Sequence, residues 1–440
     1  MTRTASAQYM LPGIRVREYR TTVPLDWTAA DEDTTGEDAT GGETIELFVR
    51  ELVDPEHDDA DRPLLTYLQG GPGGANPRPL TRDGWIDEAL HDYRVVLVDQ
   101  RGTGLSTPVD AAIVAERGDA GGDYLACFRA DSIVRDLEHV RTTIYDGRRW
   151  ATLAQSFGGW ITMTYLSFAP DGLTASYVCG GVPGIPPRAS EVYRRTFDRV
   201  ATKTAEFFRR FPDDEAAVAR IADRLAEGDV RLPDGDLLTV RRFQALGIDF
   251  GMKPGFERLH WLIEKAFIRP GRLSEAFLQD VMALSSSAGN PLFWTLQESI
   301  YGDQESGATA WAAQAERDRR PEFDETRRPL LFTGEMAFPW MFDEVRLLRG
   351  FRTAVDALAA KTDWAPLYDR AALARNEVPV AAVVYFDDMY VDAALQLETL
   401  KGVGESQHWV TNEYEHDGIG SGRTLTRLRE LVRDRGGERA

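Results

Sequence analysis

Cationic side chains, cysteine and long apolar runs are what this sequence is short of. Lysine and arginine together number 51 against 71 aspartates and glutamates, a formal net charge of −20. A nucleic-acid or anionic-membrane partner is bound through clustered cations that displace counterions, so neither is expected. Lysine is nearly absent beside arginine, which reads as genome composition. No apolar run approaches the ~20 residues that would span a bilayer. The opening "MTRTASAQYMLPGIRVREY" lacks the continuous apolar core of a secretory signal. Two cysteines, Cys127 and Cys179, cannot form a disulfide framework. Both read as buried small hydrophobes, and the cytoplasm is the expected setting. There is no repeat of fixed period, no Cys/His cluster and no H-E-x-x-H spacing, so no metal and no cofactor are expected.

What is present is an ordinary globular composition, 43% hydrophobic over 440 residues. The segment Ala29 to Glu43, "AADEDTTGEDATGGE", is acidic and aperiodic and reads as a solvated loop or hairpin tip. Around it lie strand-like stretches, "GIRVREYRTTVPL" and "ETIELFVREL". Then come the apolar runs "LLTYLQ" and "YRVVLV", the helix pattern "DSIVRDLEHVRTTIYD" with Ile133, Leu137, Val140 and Ile144 on one stripe, and the short strand "ASYVCGGV". Near-continuous apolar strands alternating with helices predict an α/β fold with a mostly parallel sheet covered on both faces. The pattern changes at "PGIPPRAS": helices and loops follow to about residue 328. Strand patterns are expected again at "RPLLFTGEM", "VPVAAVVYFDDMYVD" and "HWVTNEYEHDG", before a last amphipathic helix with Leu425, Leu428 and Val432. The expected organisation is a core of residues 1–184 and 329–440 interrupted by a helical cap, residues 185–328. Inserts of this kind lie over the carboxyl ends of strands, where open α/β sheets bind ligands.

One stretch carries chemistry. In "ATLAQSFGGW" an alternating apolar run halts at Gln155-Ser156-Phe157-Gly158-Gly159, and "WITMTYLSFAP" continues with helical spacing until Pro170. Strand, tight turn and helix with a serine at the apex is the local form of a nucleophile elbow, whose small neighbours permit a strained turn. The competing reading is a turn serine that caps the helix. A nucleophilic serine needs a base, and the base an orienting acid. Of the six histidines, His57, His91, His139 and His260 lie in loops or helices away from the strand ends. His408 begins the last strand pattern and His416 follows it, so His416 is the expected base. The strand "VAAVVYFDD" ends in Asp387 and Asp388, with Asp392 shortly after; any of the three fits the acid, and Asp pairs also simply begin turns. Backbone N–H groups of Gly71, in "QGGPGG", and of Phe157 are the expected oxyanion donors.

The motifs "LQGGPGG", "VDQRGTGLST", "AQSFGGW", "ESIYG", "FTGEMAFPWMF", "YFDDMYVD" and "NEYEHDG" keep their order along nearly the whole chain. Together they resemble the proline iminopeptidases, serine peptidases of the α/β-hydrolase superfamily. The resemblance implies Ser156 as nucleophile, Asp388 as acid and His416 as base, and a substrate that is a peptide or small amide with a free N-terminus. An ammonium taken into a dry pocket needs carboxylate partners. Glu298, which resembles the family's amine-binding glutamate, and Glu335 are the candidates, with Phe157, Phe293, Trp294, Tyr301, Phe338 and Trp340 as apolar surroundings. Two departures stand out: Ala154 replaces the first glycine of G-x-S-x-G, and Gln69 stands where many relatives carry histidine. An esterase or amidase on the same scaffold, and a non-catalytic binding protein, are the alternatives.

Overall fold

The computed structural model describes residues 5–28, 42–58 and 60–439. Residues 29–41 of the acidic segment lie outside the described residues. Nine strands form one sheet: β1 (Ala7–Leu11), β2 (Ile14–Pro24), β3 (Thr44–Val53), β4 (Leu64–Leu68), β5 (Arg94–Val98), β6 (Trp150–Gln155), β7 (Leu173–Cys179), β8 (Val380–Tyr385) and β9 (Ser406–Thr411). Their order is β1-β2-β3-β5-β4-β6-β7-β8-β9. The first three strands and β5 pair antiparallel, and every pairing from β5 onward is parallel.

The parallel strands are buried on both faces, which explains their unbroken apolar sequences. Leu64, Leu68, Ala154, Val178 and Val384 point to one side, and Leu65, Tyr67, Leu153, Tyr177 and Val383 to the other. Helices α1 (Gly84–Leu90), α2 (Ala130–Ile144) and α3 (Gly158–Phe168) follow strands of this region. The expected stripe of Ile133, Leu137, Val140 and Ile144 on α2 is buried against the first side. α1 covers the second side together with the last helix, which contributes Leu425, Leu428 and Val432.

After β7 come α4 (Ala189–Arg210), a helix over Pro212–Leu225, another over Gly255–Glu264, and α5 (Ala312–Arg317). The strand expected at "RPLLFTGEM" is not there: among the described residues the sheet regains chain only at Val380. The burial of Leu330 and Phe332 has a different cause. Phe332 packs edge-on to Phe207, Phe243 and Phe250, with ring centroids 5.3 to 6.3 Å away. The Thr333 N–H donates to Gln244 O at 2.9 Å, and Gln244 Nε2 donates to Leu331 O at 2.8 Å. An apolar run buried inside an aromatic helical core reads in sequence like a strand covered on both faces. α6 (Ala393–Leu400) and α7 (Arg423–Arg433) complete the second crossover and the last layer. Cys179 is buried as expected, whereas Cys127 is half-buried at the end of a short helix.

Candidate active site

The turn between β6 and α3 places Ser156 at φ 53, the left-handed region that costs an L-residue about 1–3 kcal/mol. Two hydrogen bonds hold it there: the Ser156 N–H donates to Cys179 O at 3.0 Å, and its carbonyl accepts from Gly159 N–H at 2.7 Å. The neighbouring glycines are required by close approach. A Cβ on Gly159 would run into the Gly181 carbonyl, and one on Gly70 would sit 2.9 Å from Ser156 Cβ. Ala154 lies inside β6, fully buried, so its methyl is accommodated by the core. The start of α3 carries no side-chain cap, so the serine hydroxyl does not serve the helix.

Of the three carboxylates left open by the residue pattern, Asp388 is the one brought to the histidine. Its Oδ1 accepts from the N–H groups of Tyr390 at 2.8 Å and Val391 at 3.1 Å, and its Oδ2 lies 2.7 Å from His416 Nδ1. Asp387 turns outward to Arg199 at 3.1 Å, and Asp392 caps α6 through Leu395 N–H at 3.0 Å. His416 is 2% exposed. Its N–H donates to Gly251 O at 2.8 Å and its carbonyl accepts from Gln155 Nε2 at 2.7 Å. The Tyr390 ring stands edge-on, 4.9 Å from the imidazole.

With Nδ1 turned to Asp388, Nε2 is the free ring atom, buried and without a hydrogen-bond partner among the described residues. Ser156 and His416 flank the same dipeptide: a Cβ on Gly180 would lie 3.3 Å from His416 Nδ1, and one on Gly181 3.0 Å from Ser156 N. Their hydrogen bond is not made here, and bonds of this kind commonly tighten only around substrate. Burial disfavours the imidazolium, yet the Asp388 carboxylate, its hydrogen bond and the nearby Glu335 outweigh burial and raise the His416 pKa above its ordinary 6.5. The other histidines lie elsewhere: His408 is exposed on β9, His57 and His91 are exposed, His139 bonds Thr21, and His260 bonds Asp214 at 2.8 Å.

The loop after β4 carries Gly71 at φ 125. Among the described residues, neither its N–H nor that of Phe157 makes an internal hydrogen bond. Gln69 receives support through its main chain, where Gln100 Nε2 donates to its carbonyl at 2.8 Å.

Glu298 Oε1 accepts the Ala313 N–H at 3.0 Å at the start of α5, while Oε2 is buried without a partner among the described residues. Burial pushes its pKa up to about 7 against those backbone donors and the Thr309 hydroxyl. Glu335 keeps partial access while enclosed by protein. Burial pushes it to about 8, opposed by His416 and by Gln297 and reinforced by Asp388. Both carboxylates act on Tyr193 and Tyr301, whose hydroxyls are driven well above their ordinary range, chiefly by burial.

A chain of rings runs from the serine to this pair, Phe157 to Trp160 at 6.3 Å, Trp160 to Tyr301 at 6.2 Å and Tyr301 to Tyr193 at 6.1 Å. Of the expected aromatics, Tyr301 and Phe157 are in it. Phe338 and Trp340 stack on each other beneath Arg317 and Arg241, and Phe293 pairs with Trp294. Trp160, Tyr193 and Gln155 went unread in the sequence. Gln155 had a signal in its place beside Ser156; Tyr193 on α4 had none.

Among the described residues no group of three His, Cys, Asp or Glu side chains is arranged to hold a metal ion, and no helix is long and apolar enough to cross a membrane. Serine, buried carboxylate–imidazole pair, unbonded N–H groups and two enclosed carboxylates suit acyl transfer on a cationic substrate. Residues 63–222 match the family described as the alpha/beta hydrolase fold. The chain is 46% identical over 430 residues to a proline iminopeptidase of Aeromonas sobria, covering 97% of this chain and 98% of that one. It is 34% identical over 422 residues to the proline iminopeptidase aneH of Aspergillus aculeatus, covering 92% and 90% respectively. A solved proline iminopeptidase from Mycobacterium smegmatis aligns over 94% of this chain and 98% of its own, at 13% identity and a TM-score of 0.42.

Proposed function

Because the chain belongs to the proline iminopeptidase family of α/β-hydrolases, we propose that it is a serine exopeptidase releasing N-terminal proline, or a similarly small residue, from peptides. The observation that carries the reading is the buried Asp388–His416 pair at 2.7 Å beside a strained serine turn. His416 Nε2 takes the Ser156 proton as the hydroxyl attacks the scissile carbonyl, while Asp388 holds the Nδ1–H tautomer and stabilises the imidazolium. The N–H groups of Gly71 and Phe157 receive the oxyanion, each donor contributing about 3 kcal/mol to the barrier reduction. His416 then protonates the leaving amine and activates water for deacylation. No step requires a cofactor.

Glu298 and Glu335 receive the substrate's protonated amine. Two carboxylates so enclosed resist both ionising in the empty site. An incoming cation relieves that restraint, whereas a neutral blocked terminus does not. Residues 185–328 act as the cap over the strand ends. The substrate is a free peptide or small amide, and neither nucleic acid nor membrane takes part. The cytoplasm is the proposed setting, argued from two unbridged cysteines.

The test is a panel of aminoacyl arylamides with proline, alanine and larger residues, run beside the same compounds with the amine acylated and beside simple aryl esters. The expected result is high kcat/KM on the free proline amide and a large loss on blocking. Ester turnover without any aminopeptidase activity would remove the peptidase reading.

A further inference from the structure

The loop bearing His416 hangs from the helical segment as firmly as from the sheet. Glu415, the residue before His416, takes a two-pronged ion pair from Lys203 Nζ on α4, at 2.7 and 2.8 Å. Lys203 is only 4% exposed. Lys253 Nζ donates to the Glu413 carbonyl at 2.7 Å, and its main-chain N–H donates to Asp417 Oδ2 at 3.2 Å. Gly251 O accepts the N–H of His416 itself at 2.8 Å. The same elements grip the acid's loop: Arg199 pairs with Asp387, Arg195 with Asp392 at 3.2 Å, and the Tyr390 hydroxyl donates to Ile248 O. The sheet side supplies Gln155 to the His416 carbonyl. The chain has five lysines, Lys203, Lys253, Lys265, Lys361 and Lys401, and two of them converge on Glu413 to Asp417.

A buried ammonium persists only when paired, and such a pair adds little net stability over a well-packed apolar contact. Its particular contribution is direction. Holding both oxygens of Glu415 fixes the peptide that leads into the base. We propose that Lys203 is a positioning residue for His416, acting through Glu415, so that the base reaches Ser156 only when α4 and the Ile248–Lys253 segment are docked over the strand ends. Docking of the cap and assembly of the triad are then one event. The proposal rests on His416 and Ser156 acting as base and nucleophile.

The groups that set the charge at His416 are Asp388 from the loop after β8, Glu335 from the segment that follows the cap, and Asp417 beside it. Glu415 is held up by burial and brought down by Lys203 and Lys253. Removing Lys203 therefore pushes Glu415 further up, towards its neutral form, and loosens the peptide that leads into the base.

The experiment compares Lys203→Met, Glu415→Gln and the double variant with the parent chain. Its readouts are proline arylamide kinetics, the pH dependence of kcat/KM, and the rate of Ser156 labelling by a fluorophosphonate, which reports base and nucleophile for any acyl substrate. Fluorophosphonate rates are normalised to the folded fraction from circular dichroism. Loosening of a positioning contact is expected to lower kcat and the labelling rate roughly 10- to 100-fold with KM within about twofold. The acid limb of kcat/KM is expected to stay in place in both single variants, since Asp388, Glu335 and Asp417 set the charge at His416, and kcat stays low in the double variant. Normalised labelling and kcat equal to the parent in both single variants would overturn the proposal. A parent chain that does not label at Ser156 would instead sink the reading of the site.

Discussion

The Gln155 side-chain amide donates to the main-chain carbonyl of His416 at 2.7 Å, so the residue before the proposed nucleophile grips the residue proposed as its base across a separation of 261 positions. On its other side His416 is held through its N–H by Gly251. The imidazole is thus placed by backbone anchors from two parts of the fold, and Asp388 only has to set its rotation and tautomer.

That division of labour separates two adjacent aspartates. Asp388→Asn is expected to keep the fold and lower kcat by roughly 10⁴-fold, because the amide favours the wrong imidazole tautomer. Asp387→Asn removes only the partly exposed contact to Arg199 and is expected to leave kcat unchanged, with stability altered by no more than about 1 kcal/mol. Steady-state kinetics on a proline arylamide, with thermal melts of both variants, checks the pair.

The two enclosed glutamates predict a pH signature. Carboxylates pushed to about 7 and about 8 are largely protonated in the empty site at pH 6. Amine binding should strengthen as pH rises through this window and weaken once the substrate amine loses its own proton. Glu298→Gln or Glu335→Gln is expected to raise KM for the free amine at least tenfold, with little effect on a blocked ester; KM values measured from pH 5.5 to 9 decide it.

The same shifts carry a stability consequence of definite sign. A carboxyl whose folded pKa lies above its unfolded 4.5 binds more protons in the folded state, so its contribution is present at low pH and is lost as pH rises through about 8. Glu335→Gln should therefore gain melting temperature relative to the parent at pH 8.5 and show less gain at pH 5. Equal differences at both values would contradict the assignment of a buried, reluctant carboxyl.

Much of this was legible because it is local. Ser156 and its glycines sit within one turn, and the apolar strands and the stripe on α2 follow from period alone. Between Asp387 and Asp388 only tertiary geometry separates a surface ion pair from an imidazole partner, and the residue pattern left the choice open. The segment from Leu330 to Met336 reads as a strand because its apolar run is buried by the phenylalanine cluster around Phe332 and not by sheet pairing. Lys203 and Glu415, 212 positions apart, have no local signature at all.

That phenylalanine cluster is itself testable. Phe332→Ala is expected to destabilise the chain by about 3–5 kcal/mol through lost burial and the cavity left among Phe207, Phe243 and Phe250. Urea unfolding measures it. If Phe332 instead lay in a solvent-facing strand, the loss would stay below about 1 kcal/mol.

Everything turns on one hydroxyl, and covalent titration reaches it directly. Increasing amounts of a fluorophosphonate are added while residual proline arylamide turnover is followed, and the labelled residue is mapped by mass spectrometry. The account predicts that activity vanishes in step with one adduct per chain, on Ser156, and that Ser156→Ala neither labels nor turns over. An adduct on another residue, or turnover that survives in Ser156→Ala, would contradict it.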